Sequence, residues 1–245
     1  MKYQILLFFW ISGAPLFSQN LQLHYDFRHT IDPKRTAKNF PSLYFEYYKS
    51  EDSGRSLIKP GSFLLKIQAD LSGEKNNMGQ VYFQTAQTLR FWEPLVFLHL
   101  SYSGGLGITL TGQYGYYINN IFSGGLAYPF RWKNAWLSTV LDFKYVSFQK
   151  PSWDFLYTLY WWKGFLNYKI EFAGDFSIWT ENRNHGDDFS RNSNGKRFFF
   201  FAEPQVWLKA YNCFYLGSKI NLYYHIYVFD NILQVYPTLA IKYKF

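Results

Sequence analysis

The chain has 245 residues, 23% of them aromatic and only 17% charged, with one cysteine and a formal net charge of +8. A single cysteine excludes an intrachain disulfide framework, and a mean hydropathy of −0.23 excludes a bundle of membrane-spanning helices. Abundant rings at near-neutral hydropathy suit one barrel that is apolar outside and polar inside. The positive charge fits basic loops against anionic lipid or a preference for anionic solutes, and does not choose between them.

Met1 to Gln4 carries one positive side chain, Ile5 to Ile11 is apolar, and Pro15 and Ser18 supply a break and a small residue. This predicts a cleavable signal peptide over 1–18, cut before Gln19, and an outer-membrane β-barrel over 19–245. Leu16 at the −3 position is less usual than Ala, so the cut can slip by a residue or two. No later run reaches ~18 apolar residues, so no helix is expected to cross a membrane.

From residue 20 onward the signal is alternation, which in a strand sends successive side chains to opposite faces. Leu21, Leu23, Tyr25 and Phe27 oppose Gln22, His24, Asp26 and Arg28. Segment 42–48 follows, then Phe63, Leu65, Ile67, Ala69 and Leu71 against Lys66, Gln68, Asp70 and Ser72. Segment 80–92 is imperfect, because Thr85 and Gln87 share the face of Val81, Phe83, Leu89 and Phe91. In 95–102, Val96, Leu98, Leu100 and Tyr102 claim the lipid face. Segment 117–130 is less regular. Leu137, Leu141, Phe143 and Tyr145 oppose Ser138, Asp142 and Lys144; Phe155, Tyr157, Leu159 and Trp161 oppose Asp154, Thr158 and Tyr160. The clearest stretch is Leu166 to Trp179, where a helical period of 3.6 would mix the apolar set with Asn167, Lys169, Glu171, Asp175 and Ser177. Segments 198–209, 216–225 and 235–245 bring the total to about twelve, an all-β, antiparallel, up-and-down transmembrane barrel.

The connections support this count. Those at 93–94, 131–135, 163–165 and 210–213 are short, and Cys213 reads as a plain turn residue. The connection at 49–60 is an exception. The alternate set includes the long, polar stretches 103–116 and 180–197. Short periplasmic turns and long extracellular loops are expected of bacterial barrels. At the end of the chain Leu239, Ile241, Tyr243 and Phe245 alternate with Ala240, Lys242 and Lys244. Tyr243 and the terminal Phe245 look like the C-terminal assembly signal of outer-membrane barrels, which implies the barrel-assembly machinery as a partner.

Twelve strands lie between barrels that fill their interior and barrels with open aqueous pores. The inferred lumen carries Asp26, Glu46, Asp70, Asp142, Asp154, Glu171, Asp175 and Glu203 against Arg28, Lys66, Arg90, Lys144, Lys169, Lys209, Lys219, Lys242 and Lys244. This near balance argues for small neutral or zwitterionic solutes, or for structural ion pairs along the wall. Tyr44, Tyr48, Tyr82, Trp92, Tyr160, Trp162, Trp179, Trp207 and Tyr223 also fall inward, where flat rings suit planar solutes or act as girdle and filler. Glu203, Gln205 and Trp207 share one lumen face and offer a carboxylate, an amide and a ring. The alternative is a structural cluster beside Pro204, which cannot donate to a ladder. Asp26, His24, Arg90, Tyr82, Tyr44, Lys169 and Glu171 complete the solute-binding candidates.

Five segments carry a resemblance: Asn20 to Phe27, Leu89 to Trp92, Ile118 to Asn120, Ala202 to Trp207, and Tyr236 to Leu239. They resemble an uncharacterised family of Gram-negative outer-membrane β-barrel proteins placed near the Tsx-type nucleoside-specific channel-forming porins. The resemblance implies a monomeric barrel of twelve strands with a narrow, nucleoside-sized pore. It also implies export through the periplasm to the outer membrane, where lipid and lipopolysaccharide surround it. No cofactor, metal or nucleic acid is expected.

Two other readings stay open. His99 and Ser101 are two apart, as in the H-x-S arrangement of outer-membrane lipid A deacylases, but a lipid hydrolase should direct such a pair at the bilayer, and alternation turns this one inward. A plugged, non-conducting barrel that serves as a structural or interaction component is the third. His24, His29, His185 and His225 are scattered without metal-ligand spacing, and Asp187-Asp188 reads as a weak cation site or a solvated turn.

Overall fold

The computed structural model describes residues 17–50, 59–92 and 95–245. Most of the expected signal peptide, and the connections at 51–58 and 93–94, lie outside the described residues. The backbone of Phe17 and Ser18 already pairs with Lys49 and Tyr48, so the first strand starts two residues before the expected cut.

Thirteen strands form a single antiparallel sheet: β1 (Phe17–Asp26), β2 (Phe40–Lys49), β3 (Lys59–Asp70), β4 (Gln80–Arg90), β5 (Phe97–Ile108), β6 (Gly115–Trp132), β7 (Ala135–Val146), β8 (Asp154–Phe165), β9 (Ile170–Asn182), β10 (Lys196–Ala202), β11 (Gln205–Tyr211), β12 (Phe214–Tyr224) and β13 (Leu233–Lys244). Apart from β10 and β11, which do not pair with each other, each pairs with its neighbours in sequence, and β13 also pairs with β1, which closes the sheet. β10 and β11 occupy one row between β9 and β12 and keep the same registers on both sides. They are two halves of one stave, interrupted at Glu203-Pro204, where proline has no N–H for the ladder. The wall therefore has twelve staves. Closure leaves no unpaired edge in hydrocarbon, which is why a sheet can span a bilayer at all.

Alternation divides the side chains as the two solvents demand. Leu23, Leu141, Phe155 and Leu239 are half or more exposed on the outer surface, whereas His24, Asp70, Lys219 and Asn221 are sealed inside. Rings collect at both rims. Trp132, Phe165, Tyr211 and Phe214 lie beside the short turns, and Tyr117, Phe148 and Trp153 lie near the long loops. Such girdles mark the two membrane interfaces.

The irregular face of β4 has a local cause. β3 carries a bulge between Pro60 and Phe63, which removes the Ser62 carbonyl from the ladder. Gln87 Nε2 donates to this carbonyl at 3.4 Å and to that of Thr88 at 2.7 Å, and the Thr88 hydroxyl reaches Ser62 O at 3.3 Å. A backbone group facing lipid must be satisfied internally. Gln87→Leu is therefore expected to destabilise the barrel by about 1 kcal/mol, although transfer of leucine to lipid alone would stabilise it. Urea unfolding in lipid bilayers checks the sign.

Four boundaries stand out against the sequence reading. Leu166, Asn167 and Tyr168, read as the start of a strand, have φ of 50°, 55° and 62° and form the β8–β9 turn. Its residues alternate by chance, and β8 continues to Phe165, opposite Ile170. Gly164, a turn signal in the sequence, lies under the Tyr168 ring, where a Cβ would come within 2.3 Å of Tyr168 Cδ1. Residues 103–108 and 180–182 belong to strands rather than loops, because Ser103 to Gly107 keep pairing with Gln84 to Gln80. Finally, β1 stops at Asp26, and Arg28 opens a one-turn helix, α1 (Arg28–Ile31).

Candidate functional site

Asp175 of β9 and Glu203 of the β10–β11 link face each other across neighbouring staves, and the Glu203 N–H donates to the Asp175 carbonyl at 2.9 Å. Gly174 has φ of 154°, and any Cβ there would meet the Glu203 carbonyl at 2.5 Å, so the close approach requires glycine. Two like charges directly opposite each other repel. The cation that reconciles them comes from the far wall. Lys66 stands on β3, six staves from β9 in a ring of twelve. Its Nζ reaches Asp175 Oδ1 at 3.0 Å and Glu203 Oε2 at 3.8 Å. Lys219 of β12 approaches Glu203 Oε1 at 3.2 Å and lies 3.7 Å above the Tyr44 ring. Tyr160 is the register partner of Asp175, and Tyr82 pairs with Gln68 on β3. A charged, ring-flanked belt thus crosses the lumen at mid-height.

Between this belt and the short-turn end lies a cavity of about 840 Å³. Tyr48, Trp136, Tyr160 and Trp162 supply rings, and Asn20, Gln22, Ser138 and Gln205 supply polar groups. Lys242 and Lys244 converge on Glu171 at 3.0 and 2.5 Å. The Lys242 ammonium also lies 4.3 Å over Trp207, whose Nε1 donates to Gln205 Oε1 at 3.0 Å. Both ring nitrogens of His24 are engaged, by Thr238 and Gln22, each at 2.8 Å.

The long-loop mouth is held by a different set. Arg28 folds back onto Asp26 at 2.9 Å and caps the rings of Phe40, Tyr236 and Tyr227. Below it Lys144 pairs with Glu181, and Trp179 stacks on Phe199 at 5.3 Å.

The candidates read from sequence separate by height. Tyr44, Tyr82 and Glu203 meet at the belt, and Gln205, Glu171, Trp207 and His24 stand on the wall at or below it. Asp26 belongs to the long-loop mouth. Arg90 ends β4 near the opposite rim, its guanidinium 5.2 Å from the Phe97 ring. Lys169 is a correction: it is exposed in the turn after Tyr168 and does not face the lumen. Trp92 likewise falls beyond β4 and is exposed.

Sequence reasoning placed Lys66, Asp175 and Lys219 inside but gave no sign that they meet. The signal available was two carboxylates brought opposite each other by Pro204. Glu181 was hidden by reading 180–197 as a loop. Tyr243 and Phe245 lie on the outer surface near the seam. Tyr243 packs on Phe214 at 4.9 Å, and the Phe245 N–H donates to Gln19 O at 3.0 Å. His99 Nδ1 holds Asp142 at 2.8 Å, while the Ser101 hydroxyl contacts Ser123 at 2.5 Å rather than His99. Ser190 donates to Asp187 and holds its carboxyl below the usual range, and Asp188 pairs with Arg191, so both acids serve the turn. Among the described residues, no group of three or more metal-ligating side chains converges.

The family model described as a domain of unknown function, DUF5020, matches residues 18–245. Among solved structures the fold is similar to the NanC porin, with a TM-score of 0.51 at 6% identity, covering 93% of this chain and 100% of that one. The KdgM porin gives 0.48 at 6% identity, with 93% and 99% covered. OccAB3 of Acinetobacter baumannii gives 0.44 at 8% identity, with 94% and 99% covered. No curated protein matches the sequence. At these identities the likeness to the NanC porin is one of fold, a porin-shaped closed barrel.

Proposed function

The chain belongs to the DUF5020 family, and we propose that it is an outer-membrane channel for passive, partly selective passage of small polar solutes. The observation that carries this reading is the cavity of about 840 Å³ inside a closed wall. That volume falls in the range of solute pockets, which is roughly 300–1,000 Å³. Nucleosides are the finer assignment. Trp136, Tyr160 and Trp162 offer faces for a base, and Asn20, Gln22 and Gln205 offer donors and acceptors for its edge and for a ribose. Export by the signal peptide and a monomeric state complete the reading.

In proteoliposomes, uridine and arabinose should cause swelling faster than in empty liposomes. In planar bilayers uridine should block single-channel current, and Trp162→Ala should weaken that block about tenfold, the loss expected from one stacked base. Swelling at the empty-liposome rate for every solute would defeat the proposal. It would favour the second reading, a non-conducting barrel, for which the belt of side chains across the lumen is the specific support.

A further inference from the structure

On the channel reading a solute must pass the belt, whose side chains meet across the lumen. The belt already contains a ligand of its own. The Lys66 ammonium comes from the opposite wall to lie between Asp175 and Glu203, at 3.0 and 3.8 Å. Those carboxylates are forced together by the register of β9 with the Glu203-Pro204 link, and Lys219 pairs with Glu203, so one negative charge is left that needs a cation whether or not it is Lys66. Lys66 has a second partner within its own wall. Glu46 on β2 is its direct register neighbour, and both point inward. Among the described residues, Glu46 otherwise accepts from an Asn20 amide at 3.3 Å and lies near Lys242. Lysine is a point charge on a flexible four-carbon stem, so Lys66 can turn from Asp175 to Glu46 without losing its ion pair.

We propose that Asp175 and Glu203 form a subsite for the ammonium group of a passing solute, occupied by Lys66 at rest and vacated when Lys66 turns to Glu46. This deepens the channel reading and rests on it. Around these groups four carboxylates, Glu46, Asp70, Asp175 and Glu203, face three ammonium groups, those of Lys66, Lys219 and, near Glu46, Lys242. Asp70 is held by the amides of Gln68 and Gln80 at 2.8 and 2.5 Å. Once Lys66 turns aside, an anionic solute meets carboxylates in a confined space, whereas an amine replaces the departing lysine contact for contact. The constriction therefore favours cationic, amine-bearing solutes over anionic ones, although the whole chain is basic. The excess of lysine and arginine lies in turns, loops and the cavity below.

The test uses the full mature barrel in planar bilayers under a potassium chloride gradient. Wild type should prefer potassium over chloride by a factor on the order of five. Lys66→Ala should conduct more than wild type and keep that preference. Its vacant subsite should bind ethylammonium, seen as current block at concentrations at least about tenfold below those needed in wild type. Uncharged ethanol should not block. Glu46→Gln, which removes the alternative partner, should lower conductance. A preference for chloride, or equal ethylammonium block in wild type and Lys66→Ala, would overturn the subsite while leaving the channel intact. Absence of any conductance in all three proteins would overturn both.

Discussion

Glu171→Ala is expected to destabilise the barrel by about 3 kcal/mol, the lower part of the range for removing one partner of a buried ion pair. Glu171 is the shared acceptor for Lys242 and Lys244, and the side chains of Glu171 and Lys242 are 4% and 6% exposed. Without the carboxylate, the Lys242 ammonium stays between the rings of Trp207 and Tyr215, at 4.3 and 5.0 Å, which cannot replace an anion. Lys244 is 27% exposed and can turn to water, so the loss should fall mainly on Lys242. The double change Glu171→Ala/Lys242→Met should recover most of it, because no isolated charge remains. Denaturant unfolding of the refolded barrel in lipid measures both. A double variant as unstable as the single one would show that the defect is packing around Trp207 and not the orphaned ammonium.

Leu141→Arg should cost about 2–4 kcal/mol, and Leu166→Arg only about 0–1. Leu141 lies midway along β7 on the outer surface, where an arginine would sit in hydrocarbon far from either interface. Leu166 is 70% exposed, but it belongs to a turn at the rim, where a guanidinium reaches headgroups and water. The sequence alone assigns both leucines to lipid-facing strand positions, so the pair measures where the bilayer ends. Equal losses at the two sites would place the β8–β9 turn inside the membrane, against its position in the fold.

The stave count, the inward and outward sets and most strand limits were legible in the sequence, because a period of two persists wherever one face meets lipid and the other meets polar groups. Leu166 to Tyr168 failed because a tight turn of large residues can alternate by accident, and nothing local reports a positive φ at Leu166. Gln87 failed as a pattern and proved informative as chemistry: its amide answers a bulge on the neighbouring strand. The lumen was less legible than the wall. Alternation places Lys66, Asp175 and Glu203 inside but says nothing of which distant staves face each other, and that depends on closure. Counting charges along the whole lumen also hid their distribution, because pairs at the mouth and lysines in the cavity mask the carboxylates of the belt.

Closure also bears on how such a wall can be made. At the seam Asn20 lies opposite Lys244 and Tyr25 opposite Leu239, so residues nearest in space are among the farthest in sequence. Non-local pairing of this kind is slow to form, since a long stretch of chain must be gathered before any contact rewards it. Until it forms, β1 and β13 each present an unsatisfied edge that would template pairing with another copy. Keeping those two edges apart from other copies until they meet would therefore matter more to the yield of this barrel than any single contact within it.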